Sequence, residues 1–248
     1  MRTKVGEVEA LFRYPVKSMS GETLEDAELG WHGLQGDRRL ALRRLDDQRG
    51  FPWLTASKLP ELIRFKPVRR GTSDHESLPT HVRTPEGEEL ELFGQELAAR
   101  VSDRHGSPVE MTHLDRGIFD EASVSLITSA TVAKLTKLAG QSPDTRRFRP
   151  NILISLQESQ PFGEDAWVGG LLSFGEEDAA VIAITNWDVR CSMVNFDPDS
   201  GAVNPEVLKA VVRERNNKAG VYGAVMRRGR LAVGQSIYLK PLENQKPE

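Results

Sequence analysis

Across roughly the first 115 residues, strand-like segments are broken by turn residues about every ten positions, a spacing that predicts a β-barrel or sandwich-like module. Val5 to Tyr14 has partial apolar alternation, and Pro15 ends or bends it. Leu24 to Gly30 reads as a strand and Trp31 to Gly36 as a Gly-bounded turn. Asp37 to Arg43 reads as a returning strand that sends Arg38 and Arg39 to opposite faces, one inward and one solvated. Gly50 to Leu62 is a loop followed by a short helix or turn, and Ile63 to Val68 resumes a strand. The polar stretch Arg69 to Pro79 reads as a mobile loop. His81 to Thr84 and Glu88 to Leu92 flank Pro85-Glu86-Gly87 as a hairpin, while Glu96 to Val101 fits either a short helix or a strand.

A module boundary is expected after residue 118, giving modules 1–118 and 119–248. The second opens with a strand, Ser123 to Thr128, that runs into the clearest helix, Ser129 to Ala139. Thr128 or Ser129 serves as its N-cap, Val132, Leu135 and Leu138 recur at helical spacing, and Gly140 stops it. Pro161 to Trp167 reads as a short helical turn with Trp167 in the core, and Leu171 to Phe174 and Ala179 to Ile184 read as strands. Pro205 starts a second helix carrying Val207, Leu208, Val211 and Val212 on one face. Tyr222 to Met226 and Gln235 to Leu239 close the chain as strands around a turn at Arg228-Gly229-Arg230.

With 38% hydrophobic and 28% charged residues the chain has the balance of an ordinary globular protein, and a formal charge of −3 gives no global attraction for nucleic acid or an anionic membrane. No apolar run approaches the ~20 residues that span a bilayer, and the N-terminus lacks the apolar region of a signal peptide, so a cytoplasmic location and no membrane partner are expected. One cysteine excludes an internal disulfide and a self-contained iron–sulfur cluster.

That cysteine, Cys191, follows the buried-strand run Ala179 to Ile184 and precedes the turn Asp197-Pro-Asp-Ser-Gly201. A lone cysteine is most often a small buried hydrophobe. Arg190 beside it would favour the thiolate, the form that attacks electrophiles and binds soft metals. All five histidines lie in the first half, so a metal on Cys191 would draw its other ligands from a cofactor. Two further stretches suit an anion. Lys17-Ser18 follows the first strand with an ammonium and a hydroxyl, and Arg146, Arg147 and Arg149 precede the strand Ile152 to Ile154 with Asn151 at its mouth. For each the alternative is a solvated surface, although Phe148 and the following strand favour a clamp at the arginines.

Taken in order, these pieces resemble the MOSC superfamily, the domain of molybdenum cofactor sulfurases, in the two-module arrangement of the mitochondrial amidoxime-reducing component and its bacterial relatives. Tyr14-Pro-Val-Lys-Ser18, Gly36-Asp-Arg38, Leu54-Thr-Ala56 and Pro60-Glu-Leu62 resemble the N-terminal β-barrel module. Phe148-Arg-Pro-Asn-Ile-Leu-Ile154, Glu164-Asp-Ala-Trp167, Arg190-Cys191 and Asp197-Pro-Asp-Ser-Gly201 resemble the MOSC module. The resemblance implies a predominantly β fold, an N-terminal barrel module packed on a MOSC β-barrel with a few peripheral helices. It implies a molybdenum cofactor (molybdopterin) whose metal is held by Cys191, with Lys17, Ser18, Arg38, Ser123, Arg149, Asn151 and Arg190 around it. Asp197 matches an acidic position near the metal, with turn capping as its alternative. The activity implied is reduction of small N-hydroxylated substrates, amidoximes and hydroxylamines, by electrons from a separate ferredoxin, flavoprotein or cytochrome. The alternatives are a non-catalytic cofactor carrier, a sulfur-handling module, or a β-barrel binding protein with an inert cysteine. Ser57 departs from the family pattern, where arginine commonly follows Thr-Ala, and Lys58 could take over that contact.

Overall fold

The computed structural model describes residues 2–47, 50–70, 78–176 and 178–241. The chain forms β1 (Thr3–Arg13), β2 (Glu22–Leu24), β3 (Asp26–Gly30), β4 (Gly33–Leu34), β5 (Leu40–Arg44), β6 (Lys66–Val68), β7 (His81–Arg83), β8 (Glu89–Glu91), α1 (Gln95–His105) and β9 (Val109–His113). It continues with β10 (Val124–Thr128), α2 (Ser129–Leu138), β11 (Ile152–Leu156), β12 (Leu171–Phe174), β13 (Ala180–Val189), α3 (Glu206–Arg215), β14 (Lys218–Arg227), β15 (Gly229–Ala232) and β16 (Ser236–Lys240).

Seven strands, in the order β11-β10-β14-β13-β12-β16-β1, close into a barrel because β1 pairs with β11 as well as with β16. Closure removes the free edges that an open sheet would leave. Val8 and Leu11 of β1 both face inward, three residues apart because an irregularity between Val8 and Ala10 interrupts the alternation, and they join Ile152, Ile154, Leu172, Ile182 and Ile237 in the barrel core. At the closing seam Gly6 faces Leu156, and a Cβ on Gly6 would stand 2.2 Å from the Ser155 carbonyl oxygen. Only glycine lets the two backbones approach so closely. The β10–β11 pair is parallel, which requires a crossover, and α2 supplies it. Thr128 caps α2 by accepting from the Thr131 amide, and the buried Glu164 carboxylate accepts from both threonine hydroxyls, fastening the helix to the Gly163–Trp167 turn. Helices α2 and α3 cover the barrel's outer wall through Val132, Leu135, Val207 and Val211.

The first module has its own core, in which Val16, Met19, Leu40 and Leu42 meet Leu62, Phe65, Leu97 and Val101. It is framed by the β5–β9 pair, the β6-β7-β8 sheet and α1. The open choice at Glu96 to Val101 resolves as helix α1, and the hairpin forms as β7 and β8. Residues 71–77 of the expected mobile loop lie outside the described residues. The mostly β architecture, with a closed barrel, three helices and an N-terminal β module, is the fold class expected.

Three local expectations are corrected. Leu24 to Gly30 is two strands rather than one, because β2 pairs with β1 and β3 with β15. Asp37 and Arg38 lie in a turn ahead of β5, with Arg38 at φ 51°, so strand alternation does not decide which way the arginines face. Gly229 to Ala232 forms β15 instead of a turn, its backbone groups being taken up by β3. The division after residue 118 is bridged twice, since β1 is a barrel stave and β15 pairs with β3 of the first module. A small apolar junction of Ala56 and Ile63 against Phe196 adds a third bridge.

Gly6→Ala should destabilise the protein by about 1–3 kcal/mol by forcing the barrel seam apart. A calorimetric melting temperature lowered by roughly 2–12 °C is the expected result, and an unchanged one would show that the seam relaxes freely.

Candidate functional site

Between the first module and the barrel lies a cleft of about 510 Å³. β13 extends past the apolar run to Val189, its register against β14 shifting between Ile184 and Asn186 and again between Trp187 and Val189. Such irregularities re-aim the end of a strand. Arg190 is then pinned by its own N–H to the Asn217 carbonyl (2.9 Å), and Cys191 follows, exposed on the cleft wall. From the first module come Lys17 and Ser18, held by the Lys17 N–H on the Leu40 carbonyl (2.8 Å), and Arg38, held by its N–H on the Tyr14 carbonyl (2.8 Å). Arg149 reaches the cleft from the barrel side.

Ser18, Arg38 and Arg149 share a feature invisible in the sequence, namely left-handed backbone, with φ of 66°, 51° and 49°. Each such non-glycine residue costs on the order of 1–3 kcal/mol, and three in one cleft mark a place where backbone strain is tolerated to aim side chains.

The three clustered arginines separate cleanly. Arg146 is a surface residue bonded to Asp144 and Asp199. Arg147 is buried and donates to Asp197 Oδ2 (2.7 Å). Arg149 donates to the Met19 carbonyl (2.7 Å), and among the described residues no carboxylate lies within ion-pair distance of it. Desolvation, with the charge of Arg38 nearby, lowers its pKa to about 10. Arg38 differs in being ion-paired with the buried Asp37. Lys17 pairs with Asp120 (2.9 Å), and although desolvation opposes it, that ammonium with Arg38 and Arg149 holds the Asp120 carboxyl below its usual range. Lys58 also lines the cleft and has no ion pair among the described residues.

Arg190 lines the cleft too, but its guanidinium is turned inward. It donates to the Ala219 carbonyl (2.7 Å) and the Phe148 carbonyl (2.6 Å), and lies 3.0 Å from Asp188 Oδ2. Its visible work is to fix the strand end that carries Cys191. Asp188 also accepts from the Ser125 hydroxyl (2.9 Å). Desolvation raises the Asp188 carboxyl to about 6 against the pull of Arg190 and Ser125.

Three of the residues singled out in the sequence lie outside the cleft lining. Asn151 is fully buried, its Oδ1 accepting from the Ser125 N–H (3.1 Å) and Arg38 Nη1 (3.2 Å) while Nδ2 donates to the Phe12 carbonyl (3.3 Å). Its amide joins β1, β10 and Arg38 rather than opening onto the cleft. Asp197 accepts from the Ser200 N–H (2.9 Å) and hydroxyl (2.8 Å) within its own turn, and reaches the cleft wall only through Arg147. Ser123 lies one residue before β10, and of the serines in that segment it is Ser125 that lines the cleft. The period of two along that strand was the signal that could have found Ser125. Asp188 and Tyr222, also cleft residues, carried no comparable signal, because their approach depends on β13–β14 pairing.

Residues 5–129 match the family model for the MOSC N-terminal beta barrel domain, and residues 102–238 match the MOSC domain. The chain belongs to the MOSC family. MOSC domains are associated with molybdenum-cofactor binding and sulfurase-type function. A crystal structure of the YuaD protein from Bacillus subtilis is similar in fold, at TM-score 0.54 and 14% identity, covering 98% of this chain and 99% of that one. YiiM from Geobacillus stearothermophilus aligns over 50% of this chain and 56% of its own at 18% identity and TM-score 0.39, and YiiM from Escherichia coli over 49% and 55% at 13% and 0.35. No curated protein matches the chain. Among the described residues of this MOSC chain no helix is long and apolar enough to cross a membrane, and no three His, Cys, Asp or Glu side chains gather as metal ligands.

The raised Asp188 carboxyl makes a signed prediction. The unfolded chain loses this proton near the ordinary value of 3.8 and the folded one near 6, so the contribution is full below 3.8 and is lost as pH rises through about 6. Measured relative to Asp188→Asn, the melting temperature of the native MOSC chain should therefore fall between those values and level off above. A difference that stays flat from pH 3.5 to 7 would mean that Asp188 is ionised throughout.

Proposed function

We propose that the cleft binds a molybdenum cofactor, with Cys191 as the metal's protein ligand, and uses it to reduce small N-hydroxylated compounds with electrons from a separate ferredoxin, flavoprotein or cytochrome. The observation that carries this reading is the pairing, in one cleft, of an exposed thiol with a desolvated guanidinium that has no carboxylate partner. A partly buried cation without a direct ion pair is matched to an anionic ligand, and phosphate accepts the planar guanidinium fork bidentately. A lone thiolate fits a soft metal whose remaining ligands come from an organic group. The volume also suits a ligand of that size.

In this reading Arg149 and Lys58 supply charge to the phosphate, Ser18 supplies a hydroxyl, and Lys17 is held ready by Asp120. Arg38 and Asn151 position Arg149 and its strand. Arg190 fixes the backbone entering Cys191, whose Sγ would hold the metal. When bound, the cofactor supplies the two-electron redox chemistry. Reduction of an N–OH group breaks the N–O bond, takes up two electrons and two protons, and releases water. Asp188 can hold a proton at its carboxylate on the cleft wall, hydrogen-bonded to Ser125. Phe51 and Val189 put exposed apolar surface at the cleft.

Expression with molybdate, anaerobic purification, metal analysis and mass spectrometry of the released pterin test the binding step, and turnover of an amidoxime with a chemical electron donor tests the reaction. Molybdenum and pterin are expected together. Arg149→Ala should retain cofactor about 10–100-fold more weakly, the value of a hydrogen bond to a charged group. Cys191→Ser should keep the fold and lose reduction. Bound cofactor with no turnover under several donors would favour a carrier or sulfur-handling module, and a preparation without molybdenum or pterin would sink the proposal.

A further inference from the structure

Tyr14 stands outside the cleft lining, but two of the cleft guanidiniums lean on it. Arg149 Cζ is 4.1 Å from the ring centroid and Arg38 Cζ is 5.2 Å from it. The backbone of Tyr14 is already committed, its N–H donating to Asp37 Oδ1 (2.7 Å) and its carbonyl accepting from the Arg38 N–H (2.8 Å). The side chain is 2% exposed, yet its hydroxyl has no hydrogen-bond partner among the described residues. A buried orphan hydroxyl is unfavourable, so its presence does not account for the residue; the ring does. An aromatic face attracts a cation through its quadrupole, and a planar guanidinium stacks on it. Burial pushes the phenol up to about 12, so the ring faces the two cations as a neutral π-surface.

Close packing at Gly21 leaves the ring just enough room. A Cβ on Gly21 would stand 2.4 Å from Tyr14 Cε1 and 2.5 Å from Cδ1, so glycine there leaves the ring its room. Arg149 is consequently held three ways, by the ring face, by its own hydrogen bond to the Met19 carbonyl, and by Arg38 Nη2 donating to the Arg149 carbonyl at 3.0 Å. The last of these ties down the residue at its left-handed φ.

We infer that Tyr14 is a positioning residue, whose ring rather than hydroxyl sets Arg149 in the orientation that receives an anionic oxygen ligand such as a phosphate group. The inference rests on the reading of the cleft as a phosphate-bearing ligand's site, and the two can fail separately. Inorganic phosphate titrated into the full-length, cofactor-free chain by calorimetry, with wild type, Tyr14→Phe, Tyr14→Leu and Arg149→Ala compared, distinguishes them. Tyr14→Phe should bind within about twofold of wild type, and Tyr14→Leu about 3–30-fold more weakly, the range of a cation–π contact. Rescue by phenylalanine is the outcome that a merely structural tyrosine hydroxyl would not give. Tyr14→Leu binding as tightly as wild type overturns the positioning role, and Tyr14→Phe weakened as much as Tyr14→Leu assigns the contact to the hydroxyl instead. Unchanged binding in Arg149→Ala sinks the cleft reading itself. Should Tyr14→Leu fail to fold, proton NMR of wild type and Tyr14→Phe decides. The Arg149 Nε–H resonance is expected upfield of other arginines in both through the ring current, and its absence in wild type overturns the stacking.

Discussion

The pairing of β1 with β11 is the contact on which the rest of the molecule hangs. It closes the barrel, and because β1 also leads directly into Tyr14, Lys17 and Ser18, it delivers the first module's polar loop to the mouth of the barrel's own strand β11. Phe12 bonds through its backbone to Asn151 (2.9 Å), and the Asn151 side chain reaches Arg38 and Ser125. One buried amide thus ties this end of the seam to the cleft. A buried carboxamide is tolerated where its donors and acceptors are matched, and matching fixes geometry more tightly than apolar contact can.

The electrostatics of the cleft follow from the same fixed frame. Six cationic side chains line it; Arg147 is paired with Asp197, Lys58 has no ion pair among the described residues, and the protein compensates the other four unequally. Arg38 has Asp37, Lys17 has Asp120 and Arg190 has Asp188, whereas Arg149 is left with backbone oxygen and an aromatic ring. Left-handed backbone at Ser18, Arg38 and Arg149 is the local cost of that arrangement, supported by hydrogen bonds from neighbouring elements. Cys191 is exposed in the same cleft because the apolar run of β13 is buried and the strand's irregular end is not.

Much of the element order was readable. Hydrophobic periodicity located most of the barrel staves, and capping signals at Thr128 and the Pro205 start found α2 and α3. Failures fell where backbone geometry is set from outside. Alternation could not assign Arg38, whose turn is stabilised by the Tyr14 carbonyl, and Arg228-Gly229-Arg230 looked like a turn because its partner β3 lies some two hundred residues away in sequence. At the site, the motif residues Lys17, Ser18, Arg38, Arg149, Arg190 and Cys191 do come together, while Asn151, Asp197 and Ser123 sit behind or beside the lining.

By itself the sequence determined that the chain would be strand-rich, carry one thiol at a strand end and place basic residues beside two strands, because side-chain alternation, turn chemistry and capping are local properties. Tertiary structure alone decided which arginine keeps an uncompensated charge, that Asn151 is a strut, and that Tyr14 carries two guanidiniums. Those outcomes depend on which acceptors and ring faces remain unsatisfied after distant strands have paired, and no local pattern records that remainder.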